Sequence, residues 1–324
     1  MQSLDLTVID QAREWVKTGP IWLCTVLSTY GSSPRSPGAM MVADTRGNYC
    51  GSLSGGCVEE DFLARLASGD YRKSSQVVRY GDGGLTPNRA LPCGGILDIL
   101  IEYLSPDGGN SSAYLNQLGS ALKEGHSLSK EIHLPEPCCS LAPTAYRSST
   151  QVEYDNDRIV MIVAAPPRLV IAGLSAVAIY CANFAVSLGF ETIVCENRPD
   201  ALQNFADSLV DGVMLRAEFP VNFIEKGGCH ANTAVVALTH DPRMDDLTLM
   251  EAVFTEAFYL GAMGSERNSS RRLERLKNIG GLNEEDIRRI HAPIGMQIGS
   301  KTPAEIALAV MADVVHVKNS QRKA

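Results

Sequence analysis

The chain has 324 residues, 45% of them hydrophobic and 20% charged, with a formal net charge of −8. That length holds two domains with full cores, and the acidic balance excludes the basic stripe a nucleic-acid partner requires. No apolar run reaches the length of a membrane-spanning helix.

Met1 to Lys17 places Asp5, Asp10, Arg13 and Glu14 among its apolar residues. It therefore reads as an amphipathic helix and not a signal peptide, and predicts a cytoplasmic protein. The nine cysteines are odd in number and contain no C-x-x-C pair. That pattern fits a reduced compartment better than a disulfide framework or a zinc site.

The first helix closes at Gly19-Pro20, and Ile21 to Thr29 follows as a strand buried on both faces, with Cys24 in its core. The Gly/Ser/Pro-dense stretch Gly31 to Gly38 is a loop whose only charge is Arg35, held between two prolines as an anion clamp would be. Residues 39–54 predict a hairpin turning at Arg46-Gly47-Asn48. The hairpin delivers the bend Ser54-Gly55-Gly56-Cys57, and a helix begins at Cys57 and runs to Leu66. Val77 to Tyr80 reads as a short strand, residues 81–92 as a loop ending at Cys93-Gly94-Gly95, and Ile96 to Leu104 as an alternating strand. Its two acids, Asp98 and Glu102, share one face and predict a solvated one. A helix to Lys123 and further strand-like pieces follow, up to Val163.

The texture changes at Ala164-Ala165-Pro166-Pro167, which sets the expected domains at 1–165, mixed α+β, and 166–324, a Rossmann-like doubly wound parallel sheet. Strand Leu169 to Ala172, helix 175–188 and strand Thr192 to Glu196 open the second domain. Its first turn carries Gly173 but has Ser175 where a dinucleotide fingerprint wants a second glycine, so NAD(P) binding is disfavoured even though Glu196 occupies the ribose-acid position. His240 and Asp241 fall at the carboxyl edge of the strand Thr233 to Leu238, where they serve either a ligand or a helix cap. Gly264-Ser265 opens another helix and forms a candidate phosphate turn, with Arg271, Arg272 and Arg275 expected on a solvated face. Residues 291–299 read as a loop. Thr302-Pro-Ala-Glu305 then forms a capping box that launches the last helix.

Cys57 and Cys93 each abut a Gly-Gly pair. Glycine brings main-chain N–H groups up against a ligand, so both bends suit an anionic small molecule with a thiol beside it. The helix start at Cys57 favours a thiolate, whereas Glu59, Glu60 and Asp61 oppose it. Cys93, preceded by Pro92, is the stronger thiolate donor of the two.

These segments resemble the xanthine dehydrogenase accessory family (XdhC/CoxI). The likeness runs through Gly31-Ser-Ser-Pro-Arg35, Gly51-Ser-Leu-Ser-Gly-Gly-Cys57-Val-Glu59, Pro92-Cys-Gly-Gly95, Thr239-His-Asp241, Tyr259-Leu-Gly-Ala-Met-Gly-Ser265, Pro293-Ile-Gly295 and Thr302-Pro-Ala-Glu-Ile-Ala307. One departure is the Rossmann turn, where Ser175 and Ala176 replace the family's usual second glycine and histidine. The resemblance implies a homodimeric chaperone that binds the molybdenum cofactor transiently. It would protect the cofactor while a cysteine desulfurase exchanges oxygen for sulfur, and pass it to a xanthine dehydrogenase-type molybdoenzyme. An oxidised molybdenum centre is thiophilic and its pterin carries phosphate. On that reading Cys93 and Cys57 lie beside the metal or its dithiolene, with Cys93 as the possible contact to molybdenum, and Arg35 meets the phosphate. Two alternatives remain open, an NAD(P)-dependent oxidoreductase and a thiol-based sulfur carrier.

Overall fold

The computed structural model describes residues 4–30, 35–85, 95–106, 110–124, 126–145, 150–155, 157–239 and 241–320. They fall into two compact units, Leu4–Ala165 and the chain from Pro166 onward.

The first unit runs α1 (Leu4–Trp15), β1 (Ile21–Tyr30), β2 (Met40–Asp44), β3 (Tyr49–Gly51), α2 (Cys57–Ala67), β4 (Ser75–Tyr80), β5 (Ile96–Leu104), α3 (Ser111–Glu124), β6 (Leu128–His133), β7 (Cys138–Pro143), β8 (Gln151–Asp155) and β9 (Arg158–Val163). The first five strands make an antiparallel sheet of order β3-β2-β1-β5-β4, and the last four a second antiparallel sheet of order β7-β6-β9-β8. One face of the larger sheet packs Cys24, Val26, Ile99 and Ile101 against Val58 and Phe62 of α2. The other packs Leu23, Leu27 and Leu100 against α1, α3 and strands β6 and β9, through Ile9, Leu115, Leu128 and Ile159. With both faces covered, β1 reads as a nearly continuous apolar run, and Cys24 is wholly buried.

The same double covering overturns the expectation for Asp98 and Glu102, which are 2% and 1% exposed. Glu102 pairs with the equally buried Lys130 of β6, accepts a hydrogen bond from the Tyr114 hydroxyl at 3.3 Å, and Lys130 lies 5.3 Å from the Tyr114 ring centre. Asp98 accepts two bonds from Arg79, at 2.7 and 2.9 Å, one from Ser28 at 2.9 Å, and one from the Tyr154 hydroxyl. Alternation along β5 indicated a wet face. The partners that make it a dry one arrive from other strands, where a buried charge must be both paired and hydrogen-bonded.

The second unit runs β10 (Arg168–Ala172), α4 (Ala176–Ser187), β11 (Glu191–Cys195), α5 (Pro199–Phe205), β12 (Val213–Arg216), α6 (Pro220–Phe223), β13 (Thr233–Ala237), α7 (Pro242–Ala252), β14 (Tyr259–Ala262), α8 (Glu266–Asn278), α9 (Glu284–Arg288), β15 (Ile290–His291) and α10 (Pro303–Ser320). Its six strands are all parallel in the order β12-β11-β10-β13-β14-β15, the doubly wound arrangement with its switch point between β10 and β13. Alternate residues of β10 and β13 face opposite layers. Leu169, Ile171, Ala234 and Val236 pack under α4 and α10, and Val170, Ala172, Val235 and Ala237 under α7 and α8. His291, expected to open a loop, instead ends the short edge strand β15. Arg272, expected on a solvated face, is instead 5% exposed, bonded to Asp245 at 3.0 Å, Asp246 at 2.8 Å and the Met263 carbonyl at 2.9 Å. Thr302 and Glu305 do form the capping box of α10, with Thr302 N–H donating to Glu305 at 2.9 Å and Glu305 N–H to the Thr302 hydroxyl at 3.3 Å.

Candidate functional site

The register of the five-stranded sheet brings three of the segments singled out in the sequence to one edge. Tyr30 at the end of β1 pairs with Ile96 at the start of β5, Tyr80 at the end of β4 with Leu97, and Gly51 at the end of β3 with Met41 near the start of β2. The chain therefore leaves for or returns from residues 31–39, 52–56 and 81–95 along the same rim. Cys93 and Gly94 lie outside the described residues, and Gly95 is buried next to the first residue of β5. Arg35, half-buried on the segment between β1 and β2, is close enough to α1 to act on Asp5. Burial pushes the Asp5 carboxyl up, and its bond from Met40 and the Arg35 charge partly offset the rise.

The bend before Cys57 is built around Glu59. Gly51 has φ +97°, and a Cβ there would come within 2.3 Å of the Met40 carbonyl, so only glycine lets the chain leave β3 at this point. From there the backbone wraps the Glu59 carboxylate. Leu53, Ser54 and Gly55 N–H groups donate to Oε1 at 2.8, 3.0 and 3.1 Å, Gly56 N–H donates to Oε2 at 2.9 Å, and the Ser52 and Ser54 hydroxyls add bonds of 2.8 and 2.6 Å. Ser54 Oγ also accepts from Val58 N–H at 3.1 Å, which caps the first turn of α2. Burial opposes the charge of Glu59, yet the bonds from Ser54 and Ser52 bring its pKa down to about 2.

This corrects the expectation for Ser54, Gly55 and Gly56. Their N–H groups do form an anion nest, but its anion is the chain's own carboxylate. The sequence signal was the position of Glu59 three residues after Gly56, where a carboxylate reaches back to the N–H of the residue that precedes the helix, although glycine has no side chain to complete a capping box. Asp61 is likewise engaged, bonded to Arg65 at 2.6 Å.

Sequence reasoning also missed the polar cluster of Arg79, Asp98, Ser28 and Tyr154 beside the same rim. The Arg79 guanidinium holds the Asp98 carboxyl below its usual range against burial, with further bonds from Tyr154 and Ser28. The cluster borders a groove of about 280 Å³ lined by Val77, Leu134, Tyr154, Asp155 and Ile159.

In the second unit, the carboxyl ends of the strands hold Gly173, Ser175, Asp241, Gly264 and Ser265, and the side chains of Ser175, Asp241 and Ser265 each have an internal partner. Gly173 has φ +86°, and a Cβ there would fall 1.8 Å from Thr239 Cγ2, so this glycine is required by packing against the end of β13. Leu174 N–H donates to Glu196 at 2.7 Å, and Glu196, fully buried, also takes three bonds from Arg198 at 2.7 to 3.0 Å. Ser175 caps α4 by accepting from Ala178 N–H at 3.1 Å and donates to the Leu238 carbonyl at 2.9 Å. Asp241 caps α7, accepting from Arg243 N–H at 3.0 Å. Ser265 caps α8, accepting from Asn268 N–H at 3.3 Å, with Gly264 just before it. His240 lies outside the described residues. Among the described residues, no group of three His, Cys, Asp or Glu side chains is placed to hold a metal ion, and no helix is long and apolar enough to cross a membrane.

Comparison with known proteins resolves the lineage of both units. Residues 15–81, which include Arg35 and the whole Cys57 bend, match the family described as XdhC and CoxI, and residues 169–314 match the XdhC Rossmann domain. The chain thus carries both an XdhC/CoxI match and an XdhC Rossmann match, in that order. One relative is the molybdenum cofactor insertion chaperone PaoD of Escherichia coli (strain K12), 28% identical over 93% of this chain and 84% of that protein. Another is a probable xanthine dehydrogenase subunit of Bacillus subtilis (strain 168), 24% identical over 91% of this chain and 92% of that one. The same fold is also seen in a crystal structure described as a xanthine dehydrogenase from Bacillus halodurans. It superposes with a TM-score of 0.77 at 22% identity and covers 99% of this chain and 97% of that one.

Proposed function

We propose that this XdhC/CoxI protein is a molybdenum cofactor chaperone that takes the cofactor as cargo and has no turnover of its own. The observation that carries the reading is the relation, over 93% of the chain, to a protein named as a molybdenum cofactor insertion chaperone. The cargo is proposed to sit at the shared rim of the first sheet, a reading supported by Arg35, which lies between β1 and β2 and suits a phosphate. Cys57 and Cys93 are soft donors suited to a thiophilic metal or its dithiolene. The nest of Ser54, Gly55 and Gly56 is filled by Glu59, so the anionic part of the cargo falls to Arg35. When bound, the cofactor supplies the redox chemistry of its molybdenum centre. This chain holds it, shields it during sulfuration by a cysteine desulfurase, and presents it to a xanthine dehydrogenase-type molybdoenzyme in the cytoplasm.

The test is cofactor retention after anaerobic purification, read as fluorescence of the oxidised pterin. Cys93→Ala and Cys57→Ala should each lower pterin content several-fold at unchanged melting temperature. Cys24→Ala, wholly buried in the sheet, should lower only stability, by about 1 kcal/mol or more. Equal pterin content in wild type and both rim variants would falsify the site. Persulfide forming on a cysteine without any cofactor present would favour the sulfur-carrier alternative instead.

The Rossmann turn is proposed not to bind NAD(P). Leu174 N–H and the Glu196 carboxylate already bond each other, and the Ser175 side chain occupies the place where pyrophosphate meets a bare glycine. Calorimetry with NADH and NADPH is expected to show no binding at tens of micromolar, and a micromolar Kd would overturn this. The chain is further proposed to form a homodimer, the commonest symmetric oligomer. Light scattering should give twice the chain mass of 34.9 kDa, and a monomer at tens of micromolar refutes it.

A further inference from the structure

At the carboxyl end of β14 the chain turns through Met263, Gly264 and Ser265 into α8, on the edge of the parallel sheet where ligands of open α/β folds collect. One buried side chain at this turn has no partner. Ser269 is 1% exposed, and its hydroxyl makes no hydrogen bond among the described residues. The next residue, Ser270, returns its hydroxyl to the Glu266 carbonyl at 3.0 Å, the usual resort of a serine inside a helix. Ser269 does not, although a buried polar group without a partner is costly and rare.

The unpartnered hydroxyl faces Gly264. A Cβ on that glycine would stand 3.2 Å from Ser269 Oγ and 3.6 Å from Arg272 Nη1, so the absent methyl leaves a cradle walled by a hydroxyl and a guanidinium. Gly264 lies outside the left-handed region, so backbone conformation does not call for glycine here. What the glycine does is keep the cradle open. Further donors come from the first turn of α8, a helix of 13 residues. The N–H groups of Glu266 and Arg267 fall before the intrahelical ladder begins. Ser265 Oγ accepts from Asn268 N–H at 3.3 Å, which leaves its own hydrogen to donate outward.

The charges favour an anion. Arg267, exposed in the first turn, sits where the helix dipole disfavours a cation, and Arg271 is exposed one turn further on. A bound anion would compensate both the cations and the helix end. Of the acids nearby, Asp245 is bonded to Arg272 at 3.0 Å, and Asp246 to Arg272 and Arg275, each at 2.8 Å. Glu266 is exposed.

We propose that the N-terminal turn of α8 binds a phosphate group. The N–H groups of Glu266 and Arg267 and the hydroxyls of Ser265 and Ser269 are its donors, and Gly264 keeps the approach open. The phosphate is either free or the terminal group of a monoester, since both present the same oxygens. This goes beyond the cofactor reading above and does not depend on it.

The experiment is calorimetry on the full-length protein with inorganic phosphate and, separately, with AMP, at matched ionic strength. Wild type should bind phosphate, and Ser269→Ala should weaken the binding about ten-fold, the scale of one hydrogen bond to a charged group. The same variant should melt no lower than wild type in phosphate-free buffer, because the hydroxyl it removes has no partner in the fold. Gly264→Ala, which leaves every hydroxyl in place and fills the cradle, should weaken binding at least as much, and it keeps the test decisive should Ser269→Ala lose stability. Ser270→Ala, on the same turn but bonded within the helix, should bind as wild type does. AMP binding as tightly as phosphate or more so assigns the site to a monoester, and weaker AMP binding assigns it to the free anion. No binding of either probe at millimolar concentration overturns the proposal. Equal affinity in wild type, Ser269→Ala and Gly264→Ala overturns it too, and leaves the bound anion to another site such as Arg35.

Discussion

Lys130→Met should lower the stability of the first unit by about 3–5 kcal/mol, the cost of leaving a buried carboxylate without its partner. Lys130 and Glu102 have side chains only 3% and 2% exposed, and they meet between the two sheets with the Tyr114 hydroxyl as the remaining donor to Glu102. Burying two charges gains little net stability when they are well paired, but removing one exposes the full desolvation cost of the other. The double variant Lys130→Met with Glu102→Leu is therefore expected to recover most of the loss, since two apolar side chains of similar volume can fill the same space. The chain's two tryptophans, Trp15 and Trp22, both lie in this unit, so urea unfolding followed by intrinsic fluorescence reports on it directly. A single variant within about 1 kcal/mol of wild type would mean that Glu102 finds water or another partner, and the account of a dry interlayer pair would be wrong.

The second unit was the more legible half of the sequence, for local reasons. Its strands are short apolar runs alternating with helices that begin at recognisable caps, such as Thr302 with Glu305, and end at glycines such as Gly189. The doubly wound order then follows from right-handed connections with little choice left. The first unit's elements were also readable, and the bend before Cys57 was placed correctly between hairpin and helix. The polar residues were not. Asp98 and Glu102 alternate along β5 as solvated residues would, and only the fold brings Arg79 from β4 and Lys130 from β6 onto them. Arg272 lies in an arginine-rich helix that reads as a solvated face, while the aspartates that bury it come from α7, 26 and 27 positions earlier. In each case a charge's environment was set by a partner distant in sequence, which periodicity does not encode. Glu59 is different, since its partners are its nearest neighbours. The three-residue spacing from Gly56 was readable as a cap, but the weight given to the glycines as a ligand cradle hid it. Cys93, Gly94 and His240, which carried part of the site reading, lie outside the described residues, so the site rests on the rim that the strand ends define.

Acid should weaken the first unit by way of Glu59 as pH falls from the ordinary carboxylate range toward 2. The folded-state pKa of this group is about 2 against an ordinary value of 4.5. A depressed carboxylate contributes stability that is fully present above its unfolded pKa and is lost as pH falls through the folded value. The window is therefore pH 4.5 down to 2, and the difference between the two pKa values corresponds to about 3 kcal/mol. About 2 kcal/mol of that is gone by pH 3. Asp44 and Asp98 of the same unit are also held below their usual range and titrate in the same direction, so the wild-type profile alone mixes several groups. The comparison with Glu59→Gln isolates the one that matters. That variant should be less stable at pH 6 and should lose less on going to pH 3, with the wild type giving up about 2 kcal/mol more over the same interval. Because the carboxylate is almost wholly buried and held by backbone donors, the difference should also persist in 0.5 M salt, where an exposed ion pair would be screened away. Parallel pH profiles for the two proteins, at either ionic strength, would show that the nest does not hold Glu59 as an anion.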